Sequence, residues 1–291
     1  MTADTQVLAG RPVRRIGFGA MQLPGPRVFG PPRDRDAALA VLRRAVQLGV
    51  NHIDTAQYYG PDVANELIHA ALHPYPDDLV LVSKVGGQRD AEGGWIPAQR
   101  PDELRQGVED NLRSLAVERV DVVNLRVMGE EEGGPEARVP FEDQLQMMVK
   151  LREEGLIGGI GLSNVTIEQT RTALARTDIA CVQNNMSLLH RDDEPLLELC
   201  REHEIPFVPF FPLGSAFPGM PKVTEHPEVR AVADRLGATP AQVGLAWLLE
   251  HSANVLLIPG TSSLAHLEEN LAASGVELDA AARSSLDQLA G

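Results

Sequence analysis

The chain has 291 residues, 43% of them apolar and 23% charged. That is enough to bury a sizeable core and, at roughly 100–200 residues per domain, fits one large domain or two. Acidic side chains number 41 against 26 basic ones, a formal net charge of −15, which argues against the clustered positive field that nucleic acid or an anionic membrane requires. No apolar run approaches the roughly 20 residues needed to span a bilayer, and Met1–Gly10 carries no basic-then-apolar leader pattern, so the expected compartment is the cytoplasm.

Short apolar runs alternate with longer segments of helical period. Strands are expected over Arg15–Gly19, Val50–Asp54, Leu79–Lys84, Val120–Arg126, Ile157–Ser163, Cys181–Asn184, Phe207–Phe210 and Val255–Ile258, each too short for a helix. Between them lie one-sided apolar stripes: Ala38, Val41, Leu42, Ala45 and Val46, then Leu104, Val108, Leu112 and Leu115, then Leu145, Met148 and Val149, and later Val243, Ala246 and Trp247. Gly49, Gly155 and Gly237 stand where these helices stop. Pro101-Asp102 and Thr239-Pro240 stand where two begin. Strand, helix, strand, helix with short joints implies parallel strands and right-handed crossovers. About eight such units fit a (β/α)8 TIM barrel, an α/β fold, as a single domain over residues 1–291. A doubly wound open sheet is the competing arrangement. The polar stretch Met128–Pro140 follows the fourth strand and is a candidate lid or substrate loop. Cys181 and Cys200, the only cysteines, read as buried thiols.

A barrel gathers chemistry at the carboxyl ends of its strands, and here three successive strands run into Asp54, Lys84 and Arg126. Ionisable groups at the ends of buried strands are costly unless they pair with one another or with a ligand, so they are expected to converge on one pocket. Tyr59, five residues past Asp54, can fold back toward them. A neighbouring ammonium would lower the pKa of its phenol and suit it to deliver a proton to a carbonyl oxygen. Later strands end in Ser163-Asn164, Gln183-Asn184 and Gly260-Thr261-Ser262-Ser263.

The run from Gly49 to Gly60, with Asp54, Thr55, Ala56 and Tyr59, resembles the aldo-keto reductase signature around its catalytic Asp and Tyr, and Lys84 in Val82-Ser83-Lys84 matches that family's lysine. The resemblance extends in order from about Gly17 to Asn270. It implies an NADPH-dependent barrel enzyme, monomeric or weakly associated, that reduces an aldehyde or ketone with Asp54, Tyr59, Lys84 and Arg126 as catalytic residues. By position Gly19, Ala20 and Met21 would approach the nicotinamide through the backbone, Ser163, Asn164 and Gln183 would hold its carboxamide, and Phe210 would pack on its ring. Phe211, Pro212, Leu213 and Gly214 match the pyrophosphate loop. Gly260, Thr261, Ser262 and His266 match the adenosine-phosphate loop, and Glu269 and Asn270 the adenine contacts.

The sequence departs from the family at two places. Arg126 stands where the family usually has a histidine; it stays charged and cannot titrate, but can polarise a carbonyl. Gly260 and His266 stand where many relatives carry lysine and arginine, which leaves NADH use open beside NADPH. The run Val120–Met128 with Phe210–Gly214 is similar to a bacterial subgroup associated with pyridoxal, one candidate substrate. Tyr58 is the rival proton donor, and Trp95 a candidate lining residue. Two other classes remain: a Schiff-base lyase on Lys84, and a cofactor-binding regulatory protein with little turnover. Gly158–Gly161 lies inside a strand, Val165 spoils a nucleophile elbow at Ser163, and His203-Glu204 lacks the second histidine of a zinc helix. His52 reads as a core residue.

Overall fold

The computed structural model describes residues 5–128, 139–214 and 221–289; residues 129–138 of the candidate lid Met128–Pro140 lie outside that set. The chain begins with an antiparallel hairpin, β1 (Thr5–Leu8) and β2 (Arg11–Arg14), which the sequence reading did not anticipate. Strands and helices then alternate: β3 (Phe18–Gly19), α1 (Arg35–Gln47), β4 (His52–Asp54), α2 (Val63–Leu72) and β5 (Val80–Val85). A second hairpin, β6 (Gly87–Arg89) with β7 (Trp95–Pro97), precedes α3 (Pro101–Leu115) and β8 (Val120–Arg126). Next come α4 (Phe141–Glu153), β9 (Ile157–Ser163), α5 (Ile167–Leu174), β10 (Cys181–Gln183) and α6 (Glu194–Glu202), and four helices complete the order: α7 (Pro227–Leu236), α8 (Pro240–His251), α9 (Leu264–Ala272) and α10 (Ala280–Asp287).

Helix boundaries follow the side chains present. Asp34 caps α1 by accepting from Ala37 N at 2.9 Å. Thr239 and Gln242 form a reciprocal capping box at α8 with Pro240 in the first turn, and Pro101 opens α3. Gly237 ends α7 in the left-handed conformation, where a Cβ would be strained.

Six strands form one parallel sheet in the order β10-β9-β8-β5-β4-β3. The last two expected strands, Phe207–Phe210 and Val255–Ile258, do not form as strands. Single parallel bridges stand in their place: Val182 with Phe207, Phe207 with Val255, and Leu257 with Ile16. Val208 N donates to Val182 O at 2.7 Å, Leu256 N to Phe207 O at 2.9 Å, and Gly17 N to Leu257 O at 2.8 Å. Pro209, which has no N–H, interrupts the first of these runs and Pro259 closes the second.

Alternation along the strands divides the core in two. Val80, Val82, Val122 and Cys181 face an inner cluster that the first hairpin plugs with Leu8 and Val13. Their neighbours Leu81, Val123, Leu125 and Leu162 face outward onto the helices, where Leu42, Leu104 and Leu145 are fully buried. Each such side chain contributes roughly 1.5–3 kcal/mol of burial. Gly161 leaves room in this layer for Asn124, whose Oδ1 a Cβ at position 161 would strike. Both cysteines are free and buried. Burial pushes both thiols up, that of Cys200 to about 12, which suits the expected core role. No helix among the described residues is long and apolar enough to cross a membrane.

Candidate active site

The inward positions of β4, β5, β8 and β10 deliver Asp54, Lys84, Arg126 and Gln183 to the same ends of parallel strands. There they line a cavity of about 1170 Å³. Lys84 Nζ donates to Asp54 Oδ1 and, at 3.1 Å, to Thr55 O. Gln183 Nε2 donates to Asp54 Oδ2 at 2.8 Å. Both carboxylate oxygens are therefore engaged, and Asp54 orients its two neighbours. The same contacts occupy the Lys84 amine, which opposes the Schiff-base alternative, since that chemistry needs it free.

Tyr59 is 6% exposed, and the Lys84 ammonium stands 5.1 Å from the centre of its ring. The expected lowering of its pKa is not what the structure gives. Burial pushes the phenol up and Asp54 adds to this, while Arg126 opposes both. Desolvation of the phenolate is the largest of these effects. Tyr59 is consequently a proton-bearing phenol throughout the neutral range. Arg126 is half-buried; its Nη1 donates to Ser163 Oγ at 3.4 Å, and its guanidinium lies 5.4 Å from the centre of the Phe210 ring.

Of the expected cofactor residues, Gly19, Met21, Gln183, Phe210, Phe211, Pro212, Leu213, Gly214, Gly260, Ser262 and Asn270 line the same cavity. Gly19 and Gly260 face each other so closely that a Cβ on Gly19 would strike Ile258 O and one on Gly260 would strike Gly19 O. Six others do not line it. Ala20 and Ser163 are wholly buried, and Thr261 Oγ1 accepts from Ser263 N at 3.0 Å. Asn164 takes a left-handed φ of 57° and turns outward, donating to Val127 O at 2.7 Å. His266 is exposed on α9, and Glu269 accepts from Thr239 Oγ1 at 2.5 Å, tying α9 to the cap of α8.

The sequence reading missed one wall, formed by Gln22–Val28 with Arg33, Asp34, Ala37 and Ala38. Its signal was the proline and glycine content of the long connection before α1, which stiffens a loop without giving it a period. Arg89 fastens this wall to the second hairpin. Its guanidinium donates to Arg27 O at 2.9 Å, Val28 O at 3.2 Å and Gly93 O at 2.7 Å, and stacks 3.9 Å from the Trp95 ring centre. Trp95 and Tyr58 both line the cavity, the place expected of Trp95.

Gln183 Oε1 is buried without a partner among the described residues. It is an acceptor suited to an amide N–H, and the close glycine pair gives a flat surface where a planar ring can meet backbone. These features fit a nicotinamide. Comparison with known proteins agrees. The chain matches the aldo/keto reductase family over residues 15–290. It is 48% identical over 287 residues to the pyridoxine 4-dehydrogenase of Escherichia coli K12, covering 99% of this chain and 98% of that protein. An aldo-keto reductase from Klebsiella pneumoniae solved with NADPH superposes with a TM-score of 0.81 at 29% identity over 99% of this chain and 95% of that one. A thermostable aldo-keto reductase solved with the inhibitor epalrestat gives 0.81 at 30% identity, covering 98% and 99% respectively. Family match, shared fold and a strand-end site built on Asp54, Tyr59 and Lys84 converge: this chain belongs to the aldo/keto reductase family.

Proposed function

We propose that this protein is an NADPH-dependent reductase of aldehydes or ketones, with a pyridoxal-like aldehyde as its substrate class. Its eight strand positions would close into a single-domain (β/α)8 barrel of a form in which arginine replaces the usual histidine. The observation that carries the reading is the convergence of Asp54, Lys84, Tyr59, Arg126 and Gln183 on one cavity, with Gln183 Oε1 unpartnered beside it. The bridges joining Val182, Phe207, Val255, Leu257 and Ile16 support closure. The pyridoxine 4-dehydrogenase relative supports the substrate class, and the NADPH complex of the Klebsiella neighbour supports the cofactor.

The cofactor supplies a hydride to the carbonyl carbon when bound. Gln183 Oε1 would accept from its carboxamide, Phe210 would cover one face of its ring, and Phe211–Gly214 with Ser262 would hold its phosphates, where the start of α9 offers free N–H groups. The protein's own part is to position the carbonyl and manage the developing negative charge on its oxygen. Tyr59 points a proton-bearing phenol at that oxygen. Its raised pKa keeps the proton in place until an alkoxide, a stronger base than a phenolate, takes it. Arg126 adds a fixed positive charge that favours the oxyanion and opposes the cost of the resulting phenolate, while Asp54 holds Lys84 in place beside the Tyr59 ring. The cavity walls from Trp95 and Pro24–Val28 keep water from the reacting atoms.

Carbonyl-dependent oxidation of NADPH and of NADH, followed optically with pyridoxal and simple aldehydes, tests this reading. Wild-type turnover with NADPH and its loss in Tyr59→Phe are expected. Absence of carbonyl-dependent oxidation, or full turnover by Tyr59→Phe, would overturn it.

A further inference from the structure

The Tyr58 hydroxyl has no hydrogen-bond partner among the described residues, although the residue is only 2% exposed. Buried tyrosine hydroxyls ordinarily find a partner, and leaving one unmatched is costly. This phenol lines the catalytic cavity. Its ring meets that of Tyr59 edge-on at 5.5 Å between centres and that of Trp95 at 5.6 Å. A Cβ on Gly87 would stand 3.6 Å from Tyr58 Cε1, 3.7 Å from its Cζ and 3.8 Å from Met128 Sδ. The hydroxyl-bearing end of the ring therefore lies close to Gly87, and no group among the described residues bonds the hydroxyl. Asp54, Tyr59, Lys84 and Arg126 line the same cavity as this phenol.

We propose that Tyr58 is a specificity residue whose hydroxyl bonds an oxygen substituent flanking the substrate carbonyl. The proposal rests on the reductase reading above. Because Tyr58 and Tyr59 are consecutive and edge-on, a carbonyl bonded to Tyr59 presents its adjacent substituent to Tyr58. The class so recognised is an aryl aldehyde with a hydroxyl or hydroxymethyl group on a neighbouring ring carbon. Pyridoxal carries such oxygens on both carbons that flank the aldehyde-bearing one, so it satisfies Tyr58 in either of two orientations. An aldehyde without the substituent leaves the phenol unmatched, and sites built to bond a substrate hydroxyl discriminate strongly against analogues lacking it.

The test compares 2-hydroxybenzaldehyde with benzaldehyde, and includes pyridoxal, for wild type and Tyr58→Phe. Taking the ratio of kcat/KM for the two benzaldehydes in each protein cancels their intrinsic reactivity. The expected result is a fall of about tenfold in that ratio in the variant. Its melting temperature should be equal to or above that of wild type, because the unmatched hydroxyl is gone while the ring remains. An unchanged ratio, or equal losses on both aldehydes, would overturn the assignment of Tyr58 while leaving the reductase reading intact. A wild-type protein that oxidises NADPH with none of the three aldehydes would remove both.

Discussion

His52 offers a direct test of the inner core through acid stability. Its side chain is 2% exposed, both ring nitrogens lack partners among the described residues, and burial lowers its pKa from 6.5 to about 4. It lines a small void together with Leu8, Asp54, Val82, Val208 and Leu256, and Gly17 packs so closely that a Cβ there would strike the imidazole. The folded protein thus holds the neutral ring, whereas the unfolded chain protonates near 6.5. The stability this preserves is complete above the unfolded value and is lost as pH falls toward the folded one. At 1.36 kcal/mol for each tenfold in proton affinity, the loss reaches about 2 kcal/mol near pH 5 and about 3 kcal/mol near pH 4. His52→Leu removes the titration and both unmatched nitrogens. Urea unfolding of the two proteins at about pH 7.5 and pH 5 isolates the difference, because the carboxylates common to both cancel. The variant should gain about 2 kcal/mol relative to wild type on going to the lower pH. A difference independent of pH would show that the imidazole protonates without cost, and that the interior around Asp54 is wetter and more polar than argued.

Three further outcomes follow from the same geometry. The chain has three tyrosines, and burial raises the pKa of all of them. Alkaline titration of phenolate absorbance should therefore show no ionisation near pH 10 until the protein unfolds, and a step of one third of the amplitude at or below about 10 would contradict the burial argument for Tyr59. Gln183→Leu removes the donor to Asp54 Oδ2 and the free acceptor Oε1 together; NADPH binding, read by quenching of tryptophan fluorescence, should weaken by about 10-fold or more, and unchanged affinity would refute the assigned acceptor. Gly161→Ala drives a Cβ into Asn124 Oδ1 and to within 3.0 Å of Cys181 Sγ, so it should lose about 1–3 kcal/mol in denaturant unfolding; a neutral result would mean that the inner layer yields readily.

How far the sequence could be read depends on how local each cause is. Two-residue alternation ending in an ionisable side chain is a local pattern, and it located Asp54, Lys84 and Arg126 because burial forces such groups to share a site. Proline is equally local, yet the expected strand Phe207–Phe210 was drawn across Pro209, which has no N–H to pair as a continuous strand. The wall at Gln22–Val28 had no period to read, since its shape comes from proline-fixed turns and from Arg89 reaching across 62 positions to Arg27 O. The first hairpin was overlooked because Leu8 and Val13 acquire meaning only as the plug of an interior that other strands create. His266 and Glu269 matched the family by position, yet the rotation of α9 exposes one and commits the other to Thr239. That rotation is set by packing against α8 and α1, which no local pattern records.

The sign of the shift at Tyr59 is the most instructive case, because two principles compete and only tertiary structure decides between them. A cation beside a phenol lowers its pKa, while burial raises it. Sequence order put Lys84 and Tyr59 in one site, but it could not reveal that both oxygens of Asp54 are engaged, one by Lys84 and one by Gln183, some 129 positions away. At Tyr59 Asp54 adds to the effect of burial, and Arg126 is the cation that opposes it. In the function proposed above, this would be the role of the arginine, one that a neutral histidine could not fill: a fixed charge at the end of β8 that the charge developing on the carbonyl oxygen would neutralise. The arrangement favours the oxyanion without requiring Tyr59 to ionise in advance.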